Sequence, residues 1–197
     1  MVRKKNIEAP APQVVVPVLR DVVLASDLAV PKDINFSSYN TVLSGSLFKL
    51  SDYSVGEVID HVDGVTVSEA EHMMATRLWQ NTAKVHFDAM ARPDGRRLIY
   101  GGHVISMARA LSFNGLGNAQ MISAINSGTH ANPCFAGDTI RAWSEVLDLA
   151  ETTNSSVGAI RLRLVASKGV TSALRDPEGK YHSEVLLDLD YWALIPK

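Results

Sequence analysis

The chain has 197 residues, 46% of them hydrophobic and 20% charged, with a formal net charge of −2. That is enough apolar material for one domain with a real core, and the near-neutral charge gives no electrostatic reason to expect a nucleic acid or an anionic membrane as partner. The single cysteine, Cys134, excludes an internal disulfide framework and fits a reducing compartment. No run of about 18 apolar residues marks a membrane span, and the basic start at residues 1–5 leads only into Ile7-Glu8-Ala9-Pro10, too short and too Pro-interrupted for a signal-peptide core. The expectation is a cytoplasmic protein.

Residues 1–45 differ from the rest. Pro10, Pro12, Pro17 and Pro31 punctuate short apolar pieces such as Val14-Val15-Val16, which predicts an extended arm or linker rather than long regular elements. Its valines and leucines predict that part of it docks on a surface. Residues 46–197 form the expected domain. A β-like stretch over 55–67 leads to a first helix opened by Ser68-Glu69-Ala70-Glu71 at capping-box spacing, with Ala70, Met73, Met74 and Leu78 at helical intervals and an end near Gln80. Arg92-Pro93-Asp94-Gly95 is a turn. Gly101-Gly102 precedes a second helix over 103–113, apolar nearly all round and with Arg109 as its one formal charge, so it belongs inside something. Strands follow: 139–149, then Ile160, Leu162 and Leu164 alternating with Arg161 and Arg163, then Leu187, Leu189, Tyr191 and Ala193 alternating with Asp188, Asp190 and Trp192. One buried helix followed by such strands predicts an α+β domain, an antiparallel sheet wrapped around a helix.

Several familiar sites are absent: no phosphate loop, no dinucleotide glycine fingerprint after a strand, no His-Glu-x-x-His, and with six scattered histidines no expected metal site. Three segments stand out together: Asn81-Thr82-Ala83-Lys84-Val85-His86-Phe87-Asp88; Gly95-Arg96-Arg97-Leu98-Ile99-Tyr100-Gly101-Gly102-His103; and Pro133-Cys134-Phe135-Ala136-Gly137-Asp138-Thr139-Ile140. In this order and spacing they resemble the MaoC-like hydratases and dehydratases of the hot-dog superfamily, over residues 46–197. Longer runs sharpen the resemblance to the second half of those members that hydrate mesaconyl-CoA (2-methylfumaryl-CoA): residues 69–78, Arg97-Leu98-Ile99-Tyr100-Gly101-Gly102-His103, Ala110-Leu111-Ser112-Phe113-Asn114-Gly115-Leu116, and Phe135-Ala136-Gly137-Asp138-Thr139 with Ala142-Trp143-Ser144-Glu145-Val146. Many (R)-specific members carry aspartate where Asn81 stands. The mesaconyl-CoA type resembles this chain in carrying asparagine, which cannot ionise. Residues 1–45 resemble the linker between the halves of a double hot dog.

The resemblance implies a hot-dog fold and reversible hydration of an enoyl-CoA thioester, mesaconyl-CoA to β-methylmalyl-CoA, without a cofactor, since coenzyme A is part of the substrate. The alternatives are a general (R)-enoyl-CoA hydratase, a thioesterase, or a non-catalytic subunit that binds acyl-CoA and is completed by a partner domain. His86 is the expected acid/base, histidine being the side chain that titrates near neutrality, and Asn81 the group that orients water or the imidazole. Five residues apart on a helix do not share a face, so the pair requires a bend between them. Gly101 or Gly102, at the start of a buried helix, offers N–H groups for the thioester oxyanion, with Tyr100 beside them. A substrate carboxylate or the coenzyme A calls for Arg97, Arg109 or His130; the bland alternatives are an internal salt bridge for Arg109 and solvent for Arg97. Lys84, Arg92 and Arg96 are candidates for the coenzyme A phosphates. Asp88 reads as a cap, Asp138 as a turn former, His72 as surface or packing, and Cys134 as a small buried residue. His61, His103 and His182 carry no assigned role. An exposed sheet edge predicts a homodimer or pairing with a second hot-dog domain.

Overall fold

The computed structural model describes residues 15, 17–169 and 173–197. The basic start, Pro10, Pro12 and all of Val14–Val16 but Val15 therefore lie outside the described residues.

In chain order the main elements are a short helix α1 (Thr41–Ser44), strand β1 (Val58–Thr66), helix α2 (Glu69–Leu78), helix α3 (Gly101–Leu111), a single turn α4 (Phe113–Leu116), and strands β2 (Met121–His130), β3 (Thr139–Glu151), β4 (Val157–Lys168) and β5 (Val185–Pro196). The strands form one five-stranded sheet in the order β1-β3-β4-β5-β2, with every neighbouring pair antiparallel. Period-two alternation sorts its faces. Leu187, Leu189, Tyr191, Ala193 and Ile195 of β5 join Val104, Met107 and Ala108 of α3 in the main core. Trp192 and Leu194, the intervening residues, point to the other face. Helix α3 packs against β1, β3, β4 and β5, so the sheet curls around it. Each fully buried aliphatic side chain in that contact contributes about 1.5–3 kcal/mol.

The outer face is covered by the arm. Val23, Ala25, Leu28, Val30, Ile34 and Phe36 pack on Val157, Ala159, Trp192 and Leu194. Among the described residues the arm forms no strand, and its backbone groups take side-chain partners. Val23 N–H donates to Asn126 Oδ1 (3.0 Å), Phe36 N–H to Ser156 Oγ (3.0 Å), and the Ile34 carbonyl accepts from Asn154 Nδ2 (2.8 Å).

Two elements differ from the sequence expectation. Helix α3 begins at Gly101 rather than at residue 103, so both glycines sit in its first turn, where the N–H groups have no intrahelical acceptor in any case. Strand β2 was not expected. Much of it is exposed, and among the described residues its single partner strand is β5, so only a half-formed alternation (Ile122, Ala124) marks it.

Candidate active site

Helix α2 starts at an N-cap, Ser68, whose hydroxyl accepts the Glu71 N–H at 3.2 Å. It ends at Leu78, and Gln80 takes a left-handed φ of 52°. The chain thus bends where a histidine five residues beyond Asn81 needs it to. Asn81 N–H closes the turn onto the Thr76 carbonyl (2.9 Å), and the Asn81 side-chain oxygen accepts the Ala83 N–H (2.9 Å). A single 3-10 turn, Lys84–His86, follows.

His86 is fixed by the segment ahead of α3. Leu98 N–H donates to the Val85 carbonyl (2.9 Å), and the Leu98 carbonyl receives the His86 Nδ1–H (2.8 Å). A carbonyl only accepts, so in the neutral ring the proton sits on Nδ1 and the lone pair on Nε2. Nε2 has no hydrogen-bond partner among the described residues. Next along, Ile99 N–H donates to the Cys134 carbonyl (2.9 Å), which brings up the opposite wall. The result is a cavity of about 450 Å³ lined by His86, Leu98, Ile99, Gly101, Val104, His130, Asn132, Pro133, Cys134 and neighbours.

Gly101 brings the N-terminus of α3 to this cavity. Its N–H and that of Gly102 make no hydrogen bond among the described residues. Both glycines are sites of close approach: the His130 ring lies against Gly101, and the Tyr100 phenol folds over Gly102. The His130 ring makes no hydrogen bond among the described residues, and burial lowers its pKa. Asn132 is spent on structure, its amide donating to the carbonyls of His182 (3.0 Å) and Val185 (2.8 Å). The Cys134 thiol is pushed up to about 12 by burial and nearby Asp138, which makes it a packed side chain and no nucleophile at neutral pH.

The structure brings together His86, Gly101 and His130 and separates the other expected residues. The Asn81 side chain makes no hydrogen bond to His86 among the described residues; it lines a different hollow with Met73, Thr76, Arg77 and Phe87. Tyr100 gives its N–H to His72 Nε2 (2.9 Å), so that N–H is not free for an oxyanion. Arg97 is ion-paired with Glu69. Arg109 is half-buried, and the internal salt bridge weighed for it is replaced by Tyr191 Oη (2.5 Å) and the carbonyls of Ala119 and Gln120. Neither arginine lines the cavity. Asp88 caps a turn by accepting Met90 N–H, and Asp138 closes its turn by accepting Phe135 N–H. His72 and His103, on adjacent faces of α2 and α3, are both buried, with ring centroids 5.9 Å apart. No cluster of three or more metal-ligating side chains exists, and no helix is long and apolar enough to cross a membrane, among the described residues.

Two curated relatives match the whole chain. Mesaconyl-CoA hydratase of Cereibacter sphaeroides is 66% identical over 199 residues, and β-methylmalyl-CoA dehydratase of Chloroflexus aurantiacus is 54% identical over 204. A solved MaoC domain protein dehydratase from Chloroflexus aurantiacus superposes with a TM-score of 0.86 at 53% identity, over all of this chain and 58% of that one. The chain has the hot-dog fold and is similar to MaoC-type dehydratases. It spans 58% of the length of each curated relative and corresponds to their C-terminal half. A Mycobacterium tuberculosis protein described as a double hot-dog fold matches 87% of this chain at 22% identity with a TM-score of 0.54, which speaks for the fold alone. No family model matches the chain.

Sequence reasoning missed the part played by His72. Nothing local in Glu69-Ala70-Glu71-His72 signals that the acceptor for a backbone N–H lies 28 residues ahead of its donor.

Proposed function

We propose that this hot-dog domain catalyses the reversible hydration of an enoyl-CoA thioester, with mesaconyl-CoA and β-methylmalyl-CoA as the pair. The observation that carries the reading is the pairing, on one cavity, of an imidazole with an open Nε2 and a helix N-terminus with an open N–H. In the hydration direction His86 Nε2 takes a proton from water as its oxygen bonds to the β-carbon. The π electrons move toward the thioester, and the oxygen that gains charge lies at the Gly101 N–H, where the helix dipole favours an anion. The imidazolium then returns a proton to the α-carbon, so water is added with no net loss of protons and no cofactor. Asn81 serves as a positioning residue that holds the bend delivering His86, and Gly102 belongs to the first turn of α3 that presents the Gly101 N–H. His130, facing the same cavity and without a partner, is the residue best placed for the second carboxylate of a dicarboxylic substrate. Arg96, whose guanidinium lies 4.0 Å above the Phe135 ring beside the cavity wall, is placed for a coenzyme A phosphate.

Pairing with a second hot-dog unit, a twin or a separate chain, belongs to the same proposal. Strand β2 is hydrogen-bonded on one side only and exposes Met121 (46%) and Ile125 (60%), an edge that a second sheet would cover.

The test follows the loss of absorbance of the conjugated thioester with mesaconyl-CoA and crotonyl-CoA, alongside the mass in solution. Faster turnover of mesaconyl-CoA by a dimer is expected. A preference for crotonyl-CoA would move the assignment to a general (R)-enoyl-CoA hydratase. A dimer inert toward every enoyl-CoA would overturn it.

A further inference from the structure

We propose that His72 is a positioning residue for this site, setting the N-terminus of α3 by accepting the Tyr100 N–H; the inference rests on the reading of Gly101 as the oxyanion donor. The turn that presents Gly101 has two consecutive glycines and therefore little conformational preference of its own. Its N–H groups divide sharply. His103 N–H is bonded to the Tyr100 carbonyl (2.9 Å), and Tyr100 N–H goes to His72 Nε2 (2.9 Å). Gly101 and Gly102 are left open. Among the described residues His72 is the one side chain that accepts an N–H from residues 100–102. It ties the turn to α2, the helix that also leads into the Asn81 bend and His86. The His72 ring stands edge-on to His86, centroids 6.5 Å apart, so one side chain spaces the acid/base and the oxyanion donor.

The contact requires a particular protonation state. To accept an N–H, Nε2 must keep its lone pair, which puts the proton on Nδ1. His72 is 0% exposed, and its Nδ1 has no partner. Burial, then the neighbouring His103 and His86, push its pKa down to about 4. Glu69 opposes that shift and Arg97 assists it, while Glu71 faces His103 at 3.8 Å. The acceptor is therefore retained throughout the neutral range.

The test compares His72→Gln, whose amide oxygen can replace Nε2 as acceptor, with His72→Met, which cannot accept. The first readout is the absorption band of a non-hydratable arylacryloyl-CoA at saturation, which moves to longer wavelength when its carbonyl is polarised. The second is kcat against KM for hydration. His72→Gln is expected to keep the band shift. His72→Met is expected to lose most of it, with kcat down about 10- to 100-fold and KM little changed. A His72→Met protein with the wild-type band and kcat would overturn the proposal. If that variant does not fold, the ring-nitrogen NMR spectrum of the wild type decides, since a His72 ring protonated on Nε2 is incompatible with the contact. A wild type that binds the chromophore but hydrates nothing overturns the proposed reaction, and the band and ring signals still decide the role of His72.

Discussion

The His130 imidazole rests directly on the Cα of Gly101, so that a Cβ built there would lie 2.7 Å from Cε1 and closer still to Nε2. The contact joins the end of β2 to the start of α3 and closes one side of the cavity. It also sets what a substitution at Gly101 must displace, the outer end of the exposed His130 ring. Helix propensity favours alanine over glycine by up to about 1 kcal/mol, but overpacking a site of this kind costs about 1–3 kcal/mol. Gly101→Ala should therefore destabilise and lose activity as His130 is pushed into the cavity. In a His130→Ala background the same change should be neutral or stabilising. Thermal denaturation of the four proteins of this cycle measures the coupling, and additive effects would show that the two residues do not meet.

His86→Ala removes the open nitrogen and one hydrogen bond to the Leu98 carbonyl, worth about 1 kcal/mol. Hydration should fall about 10²- to 10⁴-fold, the usual contribution of a general acid/base, while circular dichroism stays native. Wild-type turnover in a folded His86→Ala protein would remove His86 from the mechanism.

What the sequence revealed followed from patterns that are local. Strands β3, β4 and β5 were legible because Arg161 and Arg163 alternate with leucines that face α3, and α3 was legible because so few of its positions are polar. Strand β2 escaped because its edge position leaves most of its residues exposed. The site divides the same way. His86 and Gly101, which line one cavity, were singled out through motif spacing, and Asp88 and Asp138 through turn chemistry. The surroundings of Arg109 and His72 were not, because Tyr191 lies 82 residues from Arg109 and Tyr100 lies 28 from His72. An arginine on an apolar helix looks the same in sequence whether a ligand or a buried phenol receives it.

Stability should fall as pH drops from about 6.5 toward 4. His72 is held at about 4 in the fold, while burial lowers His61, His103 and His130 as well. Between those values the unfolded chain binds protons that the folded one refuses, so unfolding is favoured progressively as pH falls. For the buried His72 each pKa unit of depression corresponds to about 1.4 kcal/mol. Melting temperature measured across this window should rise with pH, and His72→Gln should flatten the curve by removing one such group. An unchanged slope in His72→Gln would mean that His72 does not titrate low in the fold.

Arg109 gives a prediction of the opposite kind, a cation that should matter to stability and not to substrate. Its guanidinium donates to Tyr191 Oη and to the carbonyls of Ala119 and Gln120, and lies 4.9 Å above the Tyr191 ring. Tyr191 is fully buried, and burial raises its pKa, so its hydroxyl remains a neutral acceptor for the arginine. Arg109→Met breaks these charge-assisted bonds, each worth about 1.5–3 kcal/mol, and leaves the Tyr191 hydroxyl without its partner in the core. The melting temperature should drop sharply, while KM for a dicarboxylic enoyl-CoA in the surviving folded protein stays at the wild-type value. A KM that rises for the dicarboxylic thioester but not for crotonyl-CoA would instead place Arg109 at the substrate carboxylate and displace His130 from that role.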